Sequence, residues 1–196
     1  NEDLGFDQKK IFLNTIIDET DRLSRLVNQV LDLEKYESGK HMLVKKNIDI
    51  PHLIETVFLR MEELAKERNV KLQRFIHKEV TGFKADEDKL IQLLINLLSN
   101  AIKFSRAEKG WVLLSVDTSK NKVIFTVEDN GVGIPQEMQA RIFEKFYQAD
   151  NQGSSKDKGS GLGLSITKKI VEIHKGNVFL ESMPDKGTKV MVSFPN

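Results

Sequence analysis

Lys122 to Pro135 reads K-V-I-F-T-V-E-D-N-G-V-G-I-P: apolar and polar side chains alternate as far as Glu128, then come a carboxylate and two glycines two residues apart. The alternation predicts a half-buried strand. Gly131 and Gly133 let the backbone turn sharply and approach a ligand closely. D-N-G alone is a good turn signal. A turn accounts for one glycine but not for the second, nor for a carboxylate set beside an apolar strand. Asp129, at the strand end, is able to accept a hydrogen bond from an exocyclic amine.

Upstream, Trp111–Thr118 alternates in the same way, and S-K-N makes a short hairpin connection into Lys122. Before it lies the most apolar helical stretch of the chain, running to about Ser105 and predicted to be central. Asp86 is its expected N-cap, with Glu87 and Asp88 complementing the helix dipole. This helix carries N-L-L-S-N-A-I-K-F, Asn96 to Phe104. Spacings of three and four put Asn96, Asn100 and Lys103 on one face, where carboxamide oxygens and an ammonium suit a magnesium ion and the phosphates it bridges. Alone the feature is weak, because paired asparagines on helices are more often solvated or capping.

Downstream, G-S-G-L-G-L, Gly159 to Leu164, places three glycines at the start of a helix expected over Gly161–His174, with Gly176 as its C-cap. Their N–H groups are offered to an anion at the positive end of the helix dipole. No glycine–lysine–serine/threonine follows, so this is not a P-loop, and the spacing does not match the dinucleotide fingerprint. Asp150–Ser160 is polar and glycine-rich, hence an expected mobile loop. Asn177–Ser182 and Thr188–Phe194 form a last strand pair around P-D-K-G.

Toward the other end, K-K-N-I-D-I from Lys45 alternates like a strand, Pro51 opens a helix through about Arg68, and strand-like runs follow near Lys71–Ile76 and Phe83–Ala85. From Asp7 to Glu37 there is neither glycine nor proline, which reads as one long helix ended by Ser38-Gly39. Ile16, Thr20, Leu23, Val27 and Val30 fall at heptad spacing, and Leu13, Ile17, Leu26, Leu31 and Leu33 widen the seam. So broad an apolar face calls for helical partners. The predicted class is α+β: an α/β sandwich, helices on one face of a mixed, mostly antiparallel sheet, preceded by one long amphipathic helix.

The chain's 196 residues include 30 basic and 29 acidic side chains, a net charge of +1 that makes no electrostatic case for nucleic acid or an anionic membrane surface. Zero cysteines remove disulfides, thiolate nucleophiles and cysteine-ligated zinc. The four histidines, His41, His52, His77 and His174, make no metal-ligand spacing. No apolar run approaches the ~18–20 residues needed to cross a bilayer, and N-E-D-L-G is no signal peptide. A cytoplasmic location is expected, with anchoring of a longer parent at the inner membrane left open.

The asparagine helix, D-x-G-x-G, F-x-x-F (Phe143, Phe146), G-x-G-x-G and a late G-T (Gly187, Thr188), in this order, resemble the Bergerat-type ATP site of the GHKL superfamily. Within it the sequence is most similar to the catalytic ATP-binding domain of bacterial sensor histidine kinases of two-component systems, along nearly the whole chain. The resemblance implies that residues 1–40 are the second helix of a dimerisation and histidine-phosphotransfer hairpin, its first helix absent, and that residues 45–196 are the kinase domain. It implies ATP and magnesium as cofactors, with Asn100 and Asn96 holding the metal and Lys103 and Lys145 reaching the phosphates. Phe104 would flank the adenine, Asp129 would read its amine with help from Thr188, and Gly131 and Gly133 would line the base pocket. Gly159, Gly161 and Gly163 would wrap the phosphates, and Ile134, Phe146, Ser160, Leu162 and Leu164 complete the nucleotide-binding set. Residues from about Gln136 to Ser160 would be the ATP lid, with Phe143 and Phe146 anchoring it on the core. The implied partners are a second copy, through the hairpin helix, and a response regulator receiver domain.

Two departures sharpen this expectation. Hydrolysing members of the superfamily carry a glutamate four residues before the magnesium asparagine; Asn96 stands there, and a carboxamide cannot remove a proton from water. That favours a kinase over an ATPase, with Asn96, Asn100 and Lys103 catalysing by position and charge. The family's phosphoacceptor histidine stands in an H-E/D-x-R/K-x-P context that none of the four histidines fits. Residue 1 is therefore expected in the hairpin connection, and the chain alone should bind Mg-ATP without phosphorylating itself. The alternatives are a non-catalytic nucleotide-binding and dimerisation module, which intact motifs oppose, and a GHKL ATPase, which Asn96 and R-I-F-E-K-F-Y oppose.

Overall fold

The computed structural model describes residues 5–37, 43–77, 80, 82–148 and 160–196. The chain divides into two compact units, residues 1–41 and 42–196. The described part of the first is a single helix, α1 (Phe6–Glu37). Thr15 and Thr20 bond back to the Ile11 and Ile16 carbonyls at 2.9 and 2.7 Å, so neither hydroxyl disturbs the helix. Leu13, Ile16, Ile17, Leu23, Val27, Val30 and Leu31 are exposed, and so are Ile11 and Phe12, which extend the apolar face by a turn. The predicted stop at Ser38-Gly39 lies outside the described residues.

The second unit runs β1 (Lys46–Asn47), α2 (Ile50–Glu67), β2 (Lys71–Ile76), β3 (Lys84–Ala85), α3 (Glu87–Phe104), β4 (Trp111–Ser119), β5 (Lys122–Asp129), α4 (Gln136–Gln139), α5 (Gly163–Ile173), β6 (Asn177–Met183) and β7 (Gly187–Pro195). Asp49 caps α2 by accepting the His52 N–H at 3.1 Å, with Pro51 in the first turn, and Asp86 caps α3 by accepting the Lys89 N–H at 3.3 Å. The main sheet has the order β2-β4-β5-β7-β6, parallel between β2 and β4 and antiparallel elsewhere; β1 and β3 make a separate antiparallel pair. This is the mixed, mostly antiparallel sheet that the alternating runs predict.

Alternate residues of the sheet, among them Val112, Leu114, Val116, Val123, Phe125, Val127, Val192 and Phe194, are buried. Leu90, Leu93, Leu94, Leu97 and Leu98 of α3 are buried too, and both α2 and α5 contact that helix, which makes it the central one. Phe83, Phe125 and Phe194 cluster with ring centroids 5.7 to 6.1 Å apart. The β4–β5 hairpin pairs Ser119 with Lys122 across two residues, Lys120 and Asn121, both left-handed at φ 47° and 64°. That pattern matches the right-handed strand twist.

Helix α5 differs from expectation at both ends. It starts at Gly163, because Gly161 has φ +69° and is not helical. It ends in a Schellman turn whose left-handed residue is Lys175, φ 59°, with the Gly176 N–H reaching the Val171 carbonyl at 2.9 Å. Gly176 is required one position later, where a Cβ would overlap the Ser193 carbonyl oxygen. His174, at the end of the helix, is buried and hydrogen-bonded at both nitrogens. Its Nε2 accepts the Asp86 N–H at 3.1 Å, which places the proton on Nδ1, donated to the Ile170 carbonyl at 2.8 Å. The ring thus ties the end of α5 to the start of α3. His174→Phe keeps a ring beside Phe194, 5.7 Å away, but leaves the Asp86 amide unpaired. A stability loss of about 1–3 kcal/mol is expected, read as a lower urea midpoint at unchanged m-value.

Candidate functional site

The site assembles where three main-chain segments touch. At the end of β5, Asp129 is only 7% exposed, and its Oδ1 accepts the N–H groups of Gly131 at 2.8 Å and Thr188 at 3.3 Å. Among the described residues no hydrogen bond reaches Oδ2. Asn130, which the motif reading passed over, closes the turn: its Oδ1 accepts the Trp111 N–H and its Nδ2 donates to the Lys109 carbonyl, both at 2.9 Å.

The end of α3 docks on the same turn, the Phe104 carbonyl accepting the Val132 N–H at 3.2 Å. A Cβ at Gly131 would overlap that carbonyl, and one at Gly133, φ +69°, would overlap the Met183 carbonyl. Both glycines are therefore demanded by the close approach of other main-chain segments, a reason different from the ligand approach expected from sequence. Lys103 Nζ lies 4.8 Å from the centroid of the Phe104 ring, which is 39% exposed. One turn earlier Asn100 is half-buried, and Asn96 donates from Nδ2 to the Gly163 carbonyl at 3.2 Å. Asn96 is thereby joined to the first residue of α5.

Leu162 is fully buried, and its N–H is accepted by Ser160 Oγ at 3.1 Å. Helix α5 has no side-chain cap and no acidic residue in its first turn, so its N-terminal amides and positive dipole end suit an anion. Gly159 and residues 149–158 lie outside the described residues. Gly161 is held to the F-x-x-F segment: the Phe146 N–H donates to its carbonyl at 3.0 Å, and a Cβ at 161 would stand 2.7 Å from the Phe146 carbonyl carbon. The anchoring role expected of Phe146 is corrected here. Its ring is 65% exposed at φ 60°, Phe143 is half-buried, and the buried side chain of the segment is Ile142. The attachment at Phe146 is made by main chain. Lys145 is exposed.

Two further residues escaped sequence reasoning. Ser182 Oγ contacts the Ile134 amide, the Gly187 carbonyl and the Thr188 hydroxyl, and Gln139 bridges the Ile134 and Ser182 carbonyls. The signal for Ser182 was in the sequence: the strand pair around P-D-K-G sets it opposite Thr188.

Residues 85–196 match the family of histidine kinase-, DNA gyrase B- and HSP90-like ATPases. The chain belongs to that family. Sensor histidine kinase WalK of Bacillus subtilis (strain 168) is 34% identical over 186 residues, which are 94% of this chain and 30% of WalK. Full-length ShkA in complex with AMPPNP matches all of this chain and 40% of its own at a TM-score of 0.86 and 30% identity. Histidine kinase ThkA in complex with response regulator protein TrrA matches all of this chain and 53% of its own at a TM-score of 0.76 and 27% identity. Within the ATPase family, this is the catalytic ATP-binding domain of a sensor histidine kinase.

In this kinase domain, burial pushes the Asp129 carboxyl up to about 6, against the two amide hydrogen bonds, which favour the charged form. Neighbouring Glu128 adds a smaller push in the same direction. Below an unfolded value of 3.8 both states hold the proton; from there to about 6 only the folded state does, so folding stability falls as pH rises through that window. Above it the ionised carboxylate costs the fold about 3 kcal/mol. Asp129→Asn is therefore expected to be at least as stable as the unaltered chain at pH 7.5. The difference in urea-unfolding free energy should shrink by roughly half on going to pH 5.

Proposed function

We propose that the chain binds Mg-ATP and transfers the γ-phosphoryl to a histidine that is none of its own four, from which a response regulator takes it. The observation that carries this reading is Asp129: a buried carboxylate with one oxygen held by two amides, retained at the mouth of a glycine-built turn at a cost to the fold. A ligand's exocyclic amine offers the hydrogen bond that Oδ2 lacks among the described residues. Thr188 stands beside it, the tight turn through Gly131 and Gly133 fixes the edge of the space, and Phe104 offers a ring face to the base.

Asn96, Asn100 and Lys103 would serve the phosphates, with Lys145, Ser160, Gly161, Gly163 and the start of α5. The donor set fits magnesium: two carboxamide oxygens, with Asn96 Nδ2 already committed to Gly163, and phosphate oxygens to complete an oxygen shell. Bound there, the ion supplies neutralisation of phosphate charge. Asn96 leaves water unactivated, so the γ-phosphoryl waits for a better nucleophile. Residues 1–40 would act as the second helix of a dimerisation hairpin, which the exposed apolar face of α1 supports, and residues 45–196 as the kinase domain. The complex of ThkA with TrrA supports a receiver domain as the acceptor in the next step. No helix of the described residues is long and apolar enough to cross a membrane.

Titration calorimetry of the chain with magnesium and ADP tests the proposal. One-site binding is expected, weakened at least about tenfold in Asp129→Asn, since a charge-accepted hydrogen bond is lost. Because the amine favours ionised Asp129, affinity should also fall as pH drops through about 6, approaching tenfold per unit. Absence of binding by the folded chain, or binding indifferent to Asp129→Asn, overturns the reading.

A further inference from the structure

Ser182 belongs to none of the nucleotide motifs, yet counting its protons fixes the polarity of the site's edge. The Ile134 N–H donates to Ser182 Oγ at 2.8 Å. The Gly187 carbonyl, 3.0 Å away, is only able to accept, so it takes the single Ser182 proton. The Thr188 hydroxyl, 2.9 Å from Ser182 Oγ, is left to donate into the remaining lone pair. The proton of Thr188 is then committed away from the pocket, and its Oγ1 presents lone pairs only. Gln139 holds the arrangement rigid, using both N–H groups of Nε2 on the carbonyls of Ile134 and Ser182, each at 2.9 Å. Strand register lines up the three polar side chains: Ser182 pairs with Thr188, and Thr188 with Asp129.

We propose that Ser182 is a specificity-determining positioning residue: by locking the Thr188 hydroxyl as an acceptor beside the Asp129 carboxylate, it makes this edge of the pocket read an exocyclic amine and reject a 6-oxo purine. Two acceptors side by side complement an –NH2 group. A carbonyl oxygen brought there sets lone pairs against lone pairs in a partly buried site, and unmet polar groups of this kind discriminate strongly. The inference rests on the reading of the site as an ATP site.

The test is the ratio of ADP to IDP affinity, by calorimetry with magnesium, for the unaltered chain and variants at Ser182 and Thr188. The unaltered chain should prefer ADP by about 100-fold or more. In Ser182→Ala the Thr188 proton is free to turn toward the pocket and meet a 6-oxo group, so the ratio should shrink at least about fivefold, while Ser182→Thr keeps the hydroxyl and the ratio. In the Thr188→Val background Ser182→Ala should narrow the ratio no further, because Ser182 acts through that hydroxyl. Should Ser182→Ala fail to fold, Thr188→Val alone against Thr188→Ser decides: the first should narrow the ratio and the second preserve it. A ratio unmoved by loss of either hydroxyl, or equal weakening of both nucleotides, overturns this proposal alone. Failure of the folded, unaltered chain to bind ADP overturns the ATP-site reading along with it.

Discussion

The buried carboxylate of Asp129 is the constraint around which the rest of the site is arranged. It stands on the apolar face of the sheet, where water cannot solvate it, so the chain must bring donors to it. Those donors are main-chain amides from Gly131 and from Thr188, and supplying them requires the turn after β5 and the start of β7 to close on one oxygen. Closure that tight leaves no room for Cβ atoms. A side chain at Gly131 would overlap the Phe104 carbonyl, and one at Gly187, φ +97°, would overlap the Asp129 carbonyl. These glycines are consequences of one carboxylate's burial. A cost of about 3 kcal/mol is large beside a typical net stability of 5–15 kcal/mol. No packing need of the sheet calls for a carboxylate at that position, which points to a ligand as its reason.

Where a structural feature depended on local periodicity, it was legible from sequence. The central helix α3, the β4–β5 and β6–β7 hairpins and the cap Asp86 follow from alternation, from 3.6-residue spacing and from residues with a single good local role. The motifs lie far apart in sequence, yet the Phe104 carbonyl fastens the D-N-G-V-G turn to the end of α3 and the Asn96 side chain reaches the Gly163 carbonyl. The misreadings share a cause. Gly176 looked like a C-cap because glycine is favoured at left-handed positions, but Lys175 takes that conformation and Gly176 answers a steric demand from β7. Phe146 looked like an anchor because aromatic rings usually bury, but the anchor there is its amide. Gln139 carries no periodic signal at all, and for Ser182 the strand pair gives its neighbour Thr188 but not its hydrogen bonds, which exist only after β6 and β7 have paired.

A division of labour follows from these corrections. Main-chain groups shape the site and side chains select what enters it. The end of α3, the turn after β5, the β6–β7 hairpin and the Phe146–Gly161 pair are fastened by amide–carbonyl hydrogen bonds, at approaches that require Gly131, Gly133, Gly161 and Gly187. On the proposed reading, selection then falls to few groups: Asp129, the hydroxyl pair Ser182 and Thr188, the carboxamides on α3 and the cations beside them.

The Phe146–Gly161 hydrogen bond also bears on how phosphate binding is organised. It draws together the two ends of a polar, glycine-containing segment, so the backbone around Gly161 is set from both sides by groups whose positions the core determines. Leu162, fully buried one residue later, fixes the entry into α5, and Asn96 holds the Gly163 carbonyl. The amides at the start of α5 are thus aimed by the domain's interior. On the proposed reading, the anion site at the start of α5 therefore takes its geometry from the core.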